Sequence, residues 1–281
     1  MNSGASVADA AYQGAPGAFS EEAALALVGA SASLLPCRTL EDVFSAVCSG
    51  SARSAVVPVE NTLAGAVPGC VDLIGRHDVH IVAERVQLIA HALIGAPGST
   101  LQGLRRVWSH PVALAQCEEF LRAHPDITPV PMFDTAGAVA EVMQHRAPEI
   151  GAIAGSRAAA IHGAVVLAED IQDSSENFTR FLLLEPGPAG PPLRAAWKTS
   201  VLCTLRNEPG ALMRALEPLA RHSLNLSRIE SRPIRETPFE YRFYLDVTPQ
   251  ADASLQELAA GLAALERRTR SFRVLGHYPP A

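Results

Sequence analysis

A threonine and an arginine lie side by side inside an otherwise apolar stretch in the second half of the chain. Residues 177–181 have the sequence NFTRF and run directly into three leucines, which is typical of a buried strand. Thr179 and Arg180 can both donate hydrogen bonds to an anion. Such a polar pair either completes a local hydrogen-bond network or faces a ligand, and most buried polar groups do the former. The acidic, amide-containing stretch 169–173 favours a polar cleft rim and therefore a site.

A second polar pair follows a strand in the first quarter of the chain. Glu60 and Asn61 come directly after the predicted strand 54–59. Open α/β sheets bind their ligands outside the carboxyl ends of the strands, so this position is suited to a site. A helix cap formed by Asn61 or Thr62 is an equally good explanation of the pair.

Three further strands are each followed by a helix start, at Ser109, Thr135 and Ser156. The unpaired N–H groups at these helix starts, together with the helix dipole, suit carboxylates. The first of these helices is predicted to run from 111 to 124 without a break. Gln116 then lies about two turns into it and shares no face with Ser109 unless the first turn bends inward.

A glycine-rich turn precedes the first predicted helix. Residues 13–17 have the sequence QGAPG, and Ser20 with Glu21 and Glu22 behind it is predicted to cap the helix. A helix start explains this pattern most simply. The alternative is a loop whose free N–H groups face a cleft.

The order of strands and helices predicts two α/β lobes that the chain crosses twice. Residues 79–94 carry the chain into a second lobe, and 165–170 bring it back. Polar helix starts that face each other across two lobes describe a cleft that closes on a small anion. The histidines show no metal-ligand spacing, and neither a G-x-G-x-x-G after a strand nor a Walker sequence occurs. We therefore expect no cofactor and no metal.

Composition narrows the class of protein. A chain of 281 residues with 48% hydrophobic and 19% charged residues suits two globular domains. The net charge of −6 argues against nucleic-acid and membrane-surface partners. The five cysteines form no C-x-x-C pair, which favours free thiols in a reducing, cytoplasmic compartment. We expect neither a signal peptide nor a membrane span.

The composition changes abruptly to proline and glycine at residues 186–192, which is typical of a linker. The remaining residues predict strands and helices in the order βαββαβ, which gives a ferredoxin-like layer of two helices on an antiparallel sheet. Because that architecture leaves one face of the sheet bare, pairing between subunits is expected.

Taken together, these motifs resemble the monofunctional prephenate dehydratases that carry a C-terminal ACT regulatory domain. The resemblance spans nearly the whole chain. The matching stretches, in order, are 12–14 with 19–21, 57–65, 109–111 with 115–117, 134–136, 177–181 and, in the smaller domain, 207–212 and 230–233.

The resemblance implies an α/β fold made of a two-lobed catalytic domain of the periplasmic-binding-protein-like type II class and a C-terminal ferredoxin-like ACT domain. The catalytic domain would cover 8–185, with one lobe at about 8–86 and 170–185 and the other at about 87–169. A linker would follow at 186–195 and the ACT domain at 196–278.

The implied reaction is the decarboxylating dehydration of prephenate to phenylpyruvate in L-phenylalanine biosynthesis. By analogy Thr179 lies near the leaving hydroxyl, with Glu60 or a bound water as a proton reservoir. The implied orienting residues are Asn61, Ser109, Gln116, Thr135 and Phe181. Arg180 either neutralises a substrate carboxylate or pairs with one of the acids near Asp170.

The smaller domain would bind L-phenylalanine as a feedback effector at an interface between ACT domains, in a homodimer or homotetramer. The implied effector residues are Asn207, Pro209, Gly210, Ala211, Leu212, Glu230, Ser231 and Arg232. A strand end with a bulge is the alternative for 230–233. Ala18 and Val112 depart from the family pattern, and the hydroxyl missing at Ala18 removes one expected substrate contact.

Two other functions remain compatible with these residues. Arogenate dehydratase uses the same fold and nearly the same motifs on a substrate with an amino group in place of a keto oxygen. A non-catalytic amino-acid sensor or solute-binding protein also uses the two-lobed shape. A sensor would not need Thr179 and Arg180 in its cleft, which favours the enzyme.

Overall fold

The computed structural model describes residues 7–188, 193–234, 237–251 and 253–281. Its contacts divide the chain into two compact units: unit 1 comprises Met1–Val67 and Arg85–Phe181, and unit 2 comprises Pro68–Glu84 and Leu182–Ala281. Part of the predicted linker, 189–192, lies outside the described residues. The domain boundaries derived from the sequence stay predictions.

Strands and helices alternate along most of the chain. In order from the N-terminus they are β1 (Ala8–Gln13), α1 (Phe19–Val28), β2 (Leu34–Cys37), α2 (Leu40–Cys48), β3 (Ala52–Asn61), β4 (Gly65–Ala66), α3 (Cys70–Arg76), β5 (Val79–Leu88), β6 (Ala92–Gly95), β7 (Arg106–Ser109), α4 (Pro111–Ala115), α5 (Glu118–Ala123), β8 (Thr128–Pro131), α6 (Thr135–His145), β9 (Ile150–Ala154), α7 (Ser156–His162), β10 (Val165–Ala168), β11 (Phe178–Pro186), β12 (Lys198–Thr204), α8 (Ala211–Arg221), β13 (Leu224–Pro233), β14 (Tyr241–Pro249), α9 (Leu255–Glu266) and β15 (Ser271–Tyr278). Within the described parts of the chain, no helix combines the length and the apolar character needed to cross a membrane.

The first lobe of unit 1 is built on β1, β2 and β3, which run parallel in the order β3-β1-β2, with the start of β11 beside β3. Both faces of β3 are buried over most of its length, as expected for a parallel strand covered by helices. The helix α2 begins with a capping box in which Thr39 and Asp42 satisfy each other's backbone N–H groups. This scaffold holds Glu60 and Asn61 at the end of β3.

The second lobe of unit 1 is a five-stranded sheet in the order β10-β6-β9-β7-β8. β7 runs parallel to both β8 and β9, whereas β6 is antiparallel to β9 and β10. Its core includes the fully buried side chains of Leu93, Leu104, Val107 and Ile153. Because β7, β8 and β9 are parallel, their carboxyl ends, and the helix starts that follow them, lie at one edge of the sheet.

In unit 2, the strands and helices from β12 to β15 follow the predicted βαββαβ order. The four strands form an antiparallel sheet in the order β13-β14-β12-β15. One face of that sheet and the helices α8 and α9 enclose a core that contains Val201, Leu219, Leu245, Val247 and Leu258. The predicted fold class is therefore confirmed.

The expectation that the other face of this sheet is bare is wrong over part of its area. Ser200, Tyr244 and Asp246 point away from the α8–α9 core and border a cavity of about 10 Å³ together with residues of α3. Arg232 Nη2 on the same sheet donates to Asp72 Oδ2 of α3 at 2.9 Å. The sequence did not indicate that α3 covers this face, because α3 precedes the sheet by more than a hundred residues.

The predicted cap of α1 is also wrong. α1 begins at Phe19 with Ala18 as its N-cap, and the cap makes no side-chain hydrogen bond. Glu21 instead accepts a hydrogen bond from the N–H of Gly17 at 2.9 Å, which ties the glycine-rich turn to the first helical turn. Gly17 has φ +93°, and a Cβ on it would lie 2.7 Å from Cα of Ala158, so the turn packs against the start of α7.

Candidate active site

Asn61, at the end of β3, is the centre of a hydrogen-bond network in unit 1. Its Nδ2 lies 2.7 Å from Oδ1 of Asn177, 3.1 Å from the carbonyl oxygen of Phe178 and 3.0 Å from Oγ1 of Thr179. Two strands that are far apart in sequence, β3 and β11, are thereby joined at the position of both polar motifs. The network brings together two of the predicted catalytic residues.

The backbone around Asn61 determines which way its amide group points. Oδ1 of Asn61 accepts from the N–H groups of Leu63 at 3.0 Å and Ala64 at 2.8 Å, and backbone N–H groups can only donate. Nδ2 of Asn61 must therefore be the donor toward Thr179. Because Oγ1 of Thr179 accepts this bond, its own proton is available for another acceptor. The geometry makes Thr179 a buried donor, with the residue 9% exposed.

Arg180, the neighbour of Thr179, forms an ion pair with Glu60. Nη1 of Arg180 lies 2.9 Å from Oε1 of Glu60, and the side chains are 9% and 37% exposed. From the sequence, two alternative partners remained for the Arg180 guanidinium: a substrate carboxylate or one of the acids near Asp170. The structure shows an ion pair with Glu60, which is 120 residues away in sequence, and the role of Arg180 toward a substrate stays a prediction.

The predicted continuous helix 111–124 is wrong, and the break has a consequence for Gln116. The structure has two short helices, α4 and α5, with Gln116 as the C-cap of the first. Asp173 causes the break: its N–H donates to the carbonyl oxygen of Gln116 at 2.7 Å, and its carboxylate caps α5 by accepting from the N–H groups of Glu118 and Glu119, each at 3.0 Å.

The break turns Gln116 toward the network. Oε1 of Gln116 accepts from Nδ2 of Asn177 at 3.0 Å, and its Nε2 lies 3.5 Å from Oδ1 of Asn61. The objection that Gln116 shares no face with Ser109 therefore loses its basis, since the two residues no longer belong to one helix. Gln116 joins the second lobe to the Asn61 network.

The Asp173 cap gives a testable prediction. We expect Asp173→Ala to lower the free energy of unfolding by about 1 kcal/mol, since two N–H groups of α5 lose their acceptor. Asp173→Asn keeps one oxygen acceptor and should lose less. Urea denaturation of both variants would measure the difference, and equal losses would show that the cap does not stabilise the break.

The other predicted substrate residues of unit 1 lie outside this network. Oγ of Ser109 is fully buried and donates to the carbonyl oxygen of Ile153 at 2.6 Å. Thr135 is the first residue of α6, whose N-cap is Asp134. Phe181 is 2% exposed and belongs to the core. Their roles toward a substrate stay predictions.

Sequence reasoning named Asn177 only as part of the motif 177–181, and it missed a further member of the network, His91. This residue is 2% exposed, and its Nε2 lies 2.9 Å from Oε1 of Gln116. Burial lowers the pKa of His91 below its usual value, against the opposing effect of the Gln116 hydrogen bond. A single histidine in an apolar stretch has no spacing that would have distinguished it from a core residue.

In unit 2, a cavity of about 160 Å³ lies beside the loop before α8. Of the predicted effector residues, Asn207, Ala211 and Leu212 line it, together with Phe239 and Tyr241. The cavity thus has polar groups at the helix start and an aromatic and aliphatic wall. A small molecule with a charged end and an apolar side chain suits this arrangement.

The remaining predicted effector residues do not line that cavity. Pro209 and Gly210 form the turn before α8, where Gly210 is the N-cap with φ +75°. Glu230, Ser231 and Arg232 lie within β13, whose register shift falls earlier, between Leu226 and Arg228. Oε2 of Glu230 accepts from Nη2 of Arg228 at 2.6 Å, and Arg232 pairs with Asp72. Residues 230–233 therefore form the end of a strand, as the alternative stated, but the bulge of that alternative lies earlier in β13.

Fold and site together define a class: a two-lobed α/β protein of the periplasmic-binding-protein-like type, with a polar site between its strand ends and a C-terminal ferredoxin-like unit. Comparison with known proteins specifies the family. A family model described as prephenate dehydratase matches residues 10–189. The chain belongs to the prephenate dehydratase family and is an enzyme of the carbon–oxygen lyase class.

Two individual relatives carry names that agree with this assignment, and one solved structure carries a different description. The Arabidopsis thaliana protein named arogenate dehydratase/prephenate dehydratase 2, chloroplastic, is 38% identical over 280 residues, covering 96% of this chain and 72% of the relative. The solved structure of prephenate dehydratase from Arthrobacter aurescens in complex with L-Phe is 35% identical with a TM-score of 0.86, covering 96% of this chain and 90% of that one. Another solved structure is described as GqqA, a novel type of quorum quenching acylases. It is 36% identical with a TM-score of 0.88, and the match covers 96% of this chain and 97% of that one.

Proposed function

We propose that this chain catalyses the decarboxylating dehydration of prephenate to phenylpyruvate, a step of L-phenylalanine biosynthesis. One observation supports the proposal most: Nδ2 of Asn61 donates a hydrogen bond to Oγ1 of Thr179. The hydroxyl proton of Thr179 is therefore available to another acceptor in a buried polar site. The family membership supplies the reaction class. The Asn61–Thr179 contact supplies a donor of the kind that the reaction needs.

The reaction breaks two bonds of the substrate. The bond between the ring and its carboxylate breaks, carbon dioxide leaves, and the bonding electrons enter the ring. As these electrons enter, the bond between the ring and the para hydroxyl breaks and its electron pair leaves with the oxygen. The hydroxide becomes water once it has accepted one proton. Aromatisation drives both steps, so the protein has to hold two carboxylates and assist the departing hydroxide.

Thr179 is the positioned donor to that hydroxide in this proposal. A threonine hydroxyl is too weak an acid to act alone as a proton source. Glu60 is a carboxylate in its ion pair with Arg180, so it could supply a proton only after taking one up from water. A bound water is therefore the more direct source of the proton that Thr179 passes on or helps to orient. Arg180, held by Glu60, would lie beside the substrate's negative charge, where a guanidinium stabilises a carboxylate.

The remaining polar groups would orient the substrate. Gln116 has one N–H directed toward Asn61, which leaves its second N–H for a substrate oxygen. Ser109 and Thr135 would contribute at the helix starts of the second lobe, where N–H groups favour carboxylates.

The purified protein should convert prephenate to phenylpyruvate, which is followed by its absorbance in alkali. Turnover on the order of 1 to 1,000 per second is expected of an enzyme. A protein that binds prephenate without forming phenylpyruvate would favour the sensor alternative and overturn the proposal.

Arogenate dehydration is the second candidate, because the relative at 38% identity carries both activities in its name. Arogenate differs from prephenate by an amino group in place of the keto oxygen. Comparison of kcat/KM on the two substrates distinguishes the candidates, since this ratio measures specificity directly.

We do not extend the acylase activity of GqqA to this chain. Acyl transfer by a serine requires a base that activates it. Here Oγ of Ser109 donates to the carbonyl oxygen of Ile153, while Nδ1 of the adjacent His110 accepts from the N–H of Val112 at 3.2 Å. These neighbours therefore do not form a nucleophile and base pair.

For unit 2, we propose an ACT regulatory domain that binds L-phenylalanine in the 160 Å³ cavity and inhibits the enzyme, which would assemble as a homodimer or homotetramer. The Arthrobacter aurescens relative was solved with L-Phe bound. Backbone groups between Asn207 and Leu212 would hold the amino-acid ends, and the aromatic ring would contact the apolar wall.

Substitution at Gly210 tests the effector site. Gly210→Ala places a side chain at φ +75°, which strains the backbone of the loop. The added Cβ would also displace Nη1 of Arg214, 2.9 Å away, which donates to the carbonyl oxygen of Pro209 in the same loop. We expect the L-phenylalanine concentration for half inhibition to rise about tenfold, a loss of about 1.4 kcal/mol, with kcat unchanged. Gly187→Ala, also at positive φ but with open space around it, is the matched control. Equal inhibition of both variants would contradict the assignment.

A further inference from the structure

His91 lies at the end of the Asn61 network and is held there by backbone contacts. Its N–H donates to Oε1 of Gln172 at 2.8 Å, and its carbonyl oxygen accepts from the N–H of Ile171 at 3.0 Å. The ring lies edge-on to Phe19, with centroids 5.7 Å apart. Among the described residues, Nδ1 of His91 is buried and has no hydrogen-bond partner.

The direction of every hydrogen bond in the network follows from the fixed amide of Asn61. Since Nδ2 of Asn61 donates, Oδ1 of Asn177 accepts, and Nδ2 of Asn177 must then be the donor to Gln116. Oε1 of Gln116 is therefore the acceptor that faces His91. Nε2 of His91 must carry a proton, and in the neutral ring Nδ1 carries none.

We propose that His91, as the neutral Nε2–H tautomer, is a positioning residue for the dehydration. It fixes the amide of Gln116 and, through Asn177 and Asn61, the direction in which Thr179 presents its proton. The proposal rests on the proposed function, because it assigns His91 a role in that reaction.

Burial supports the neutral ring independently. A charged imidazolium at this position would bury a second N–H, on Nδ1, without an acceptor among the described residues. The lowered pKa of His91 agrees with this, since burial is its main cause. Burying Nδ1 without a partner costs less free energy when the atom carries a lone pair than when it carries a proton to donate.

Packing against Phe19 is the competing explanation of His91, and two variants separate it from the donor role. His91→Gln keeps an N–H donor about as far from the backbone as Nε2 but removes the ring. His91→Phe keeps an aromatic ring beside Phe19 but removes the donor. A positioning role predicts that the glutamine variant is the more active, and a packing role predicts the reverse.

With prephenate as substrate, we expect His91→Phe to lower kcat about 10- to 100-fold with KM within about threefold, as for other small misplacements of reacting groups. His91→Gln should stay within about threefold of the wild type. Ser99→Ala is the control and should leave kcat unchanged. It removes a buried hydroxyl of the second lobe that, among the described residues, has no hydrogen-bond partner. A fully active phenylalanine variant, or equal losses in both His91 variants, would overturn the proposal.

The tautomer has a readout that does not need activity. In the ¹⁵N-labelled wild-type protein at pH 7, the His91 ring should show a protonated Nε2 and an unprotonated Nδ1 by NMR. A protonated Nδ1 would overturn the proposal even if the His91 variants fail to fold. Absence of prephenate turnover in the wild type would instead refute the proposed function while leaving the tautomer assignment intact.

Discussion

Thr179→Ala should lower kcat for prephenate about 100- to 1,000-fold, which corresponds to about 3 to 4 kcal/mol of transition-state stabilisation. Asn61 holds the threonine oxygen at 3.0 Å, so the lost hydroxyl cannot be replaced by a neighbour in the same position. KM should change little, because the hydroxyl acts on charge that develops only as the leaving group departs. Steady-state kinetics with phenylpyruvate detection measures both constants.

Thr179→Ser is the matched control, since it keeps the hydroxyl and removes only a methyl group. It should retain most of the wild-type kcat. If Thr179→Ala kept the wild-type kcat and changed only KM, the hydroxyl would be a binding group and the leaving-group role would be wrong.

Asn61→Asp should reduce both activity and stability. The new carboxylate can still accept from the N–H groups of Leu63 and Ala64, but it would face three acceptors, including Oγ1 of Thr179, without a proton to donate. We expect a loss of about 3 kcal/mol in unfolding free energy, because partly buried acceptors are left unpaired beside a charge. Activity should fall at least about 100-fold, since Thr179 loses its fixed orientation.

Asn225→Asp makes the same chemical change on the exposed part of β13 and should alter neither quantity. Urea denaturation and prephenate turnover on both variants give the comparison. An Asn61→Asp protein that remains as stable and as active as the Asn225 variant would show that the amide of Asn61 is not a donor in the network.

Local sequence patterns predicted the elements that carry the site. The apolar strand around Thr179, the strand before Glu60 and the βαββαβ order of unit 2 depend on residues close together in the chain, so periodicity and turn residues were sufficient. The resemblance to a family added residue roles that no pattern contained.

The errors came from contacts between distant parts of the chain. Asp173 breaks the predicted helix 111–124 by capping α5 at residues that are 55 and 54 positions away in sequence. The helix α3 covers part of the unit 2 sheet from more than a hundred residues away. In each case the local signal was correct for an isolated segment, and a tertiary partner changed the outcome.

The capping error at Ser20 has a different cause. A serine followed by two acids satisfies the composition of a helix start, but the N-cap is Ala18, two residues earlier, and the helix begins at Phe19. Glu21 then binds the N–H of Gly17, a contact that depends on the left-handed backbone of the glycine. Boundaries of helices are sensitive to such single contacts.

The most direct test of the account is a crystal structure of Thr179→Val with prephenate bound, since valine keeps the shape of threonine and should slow turnover as strongly as alanine does. We expect the para hydroxyl of the substrate to lie within about 4 Å of the valine methyl group that replaces Oγ1, next to Asn61 and Arg180. Prephenate bound with that hydroxyl turned away from position 179, or bound outside the Asn61 network altogether, would contradict the central claim.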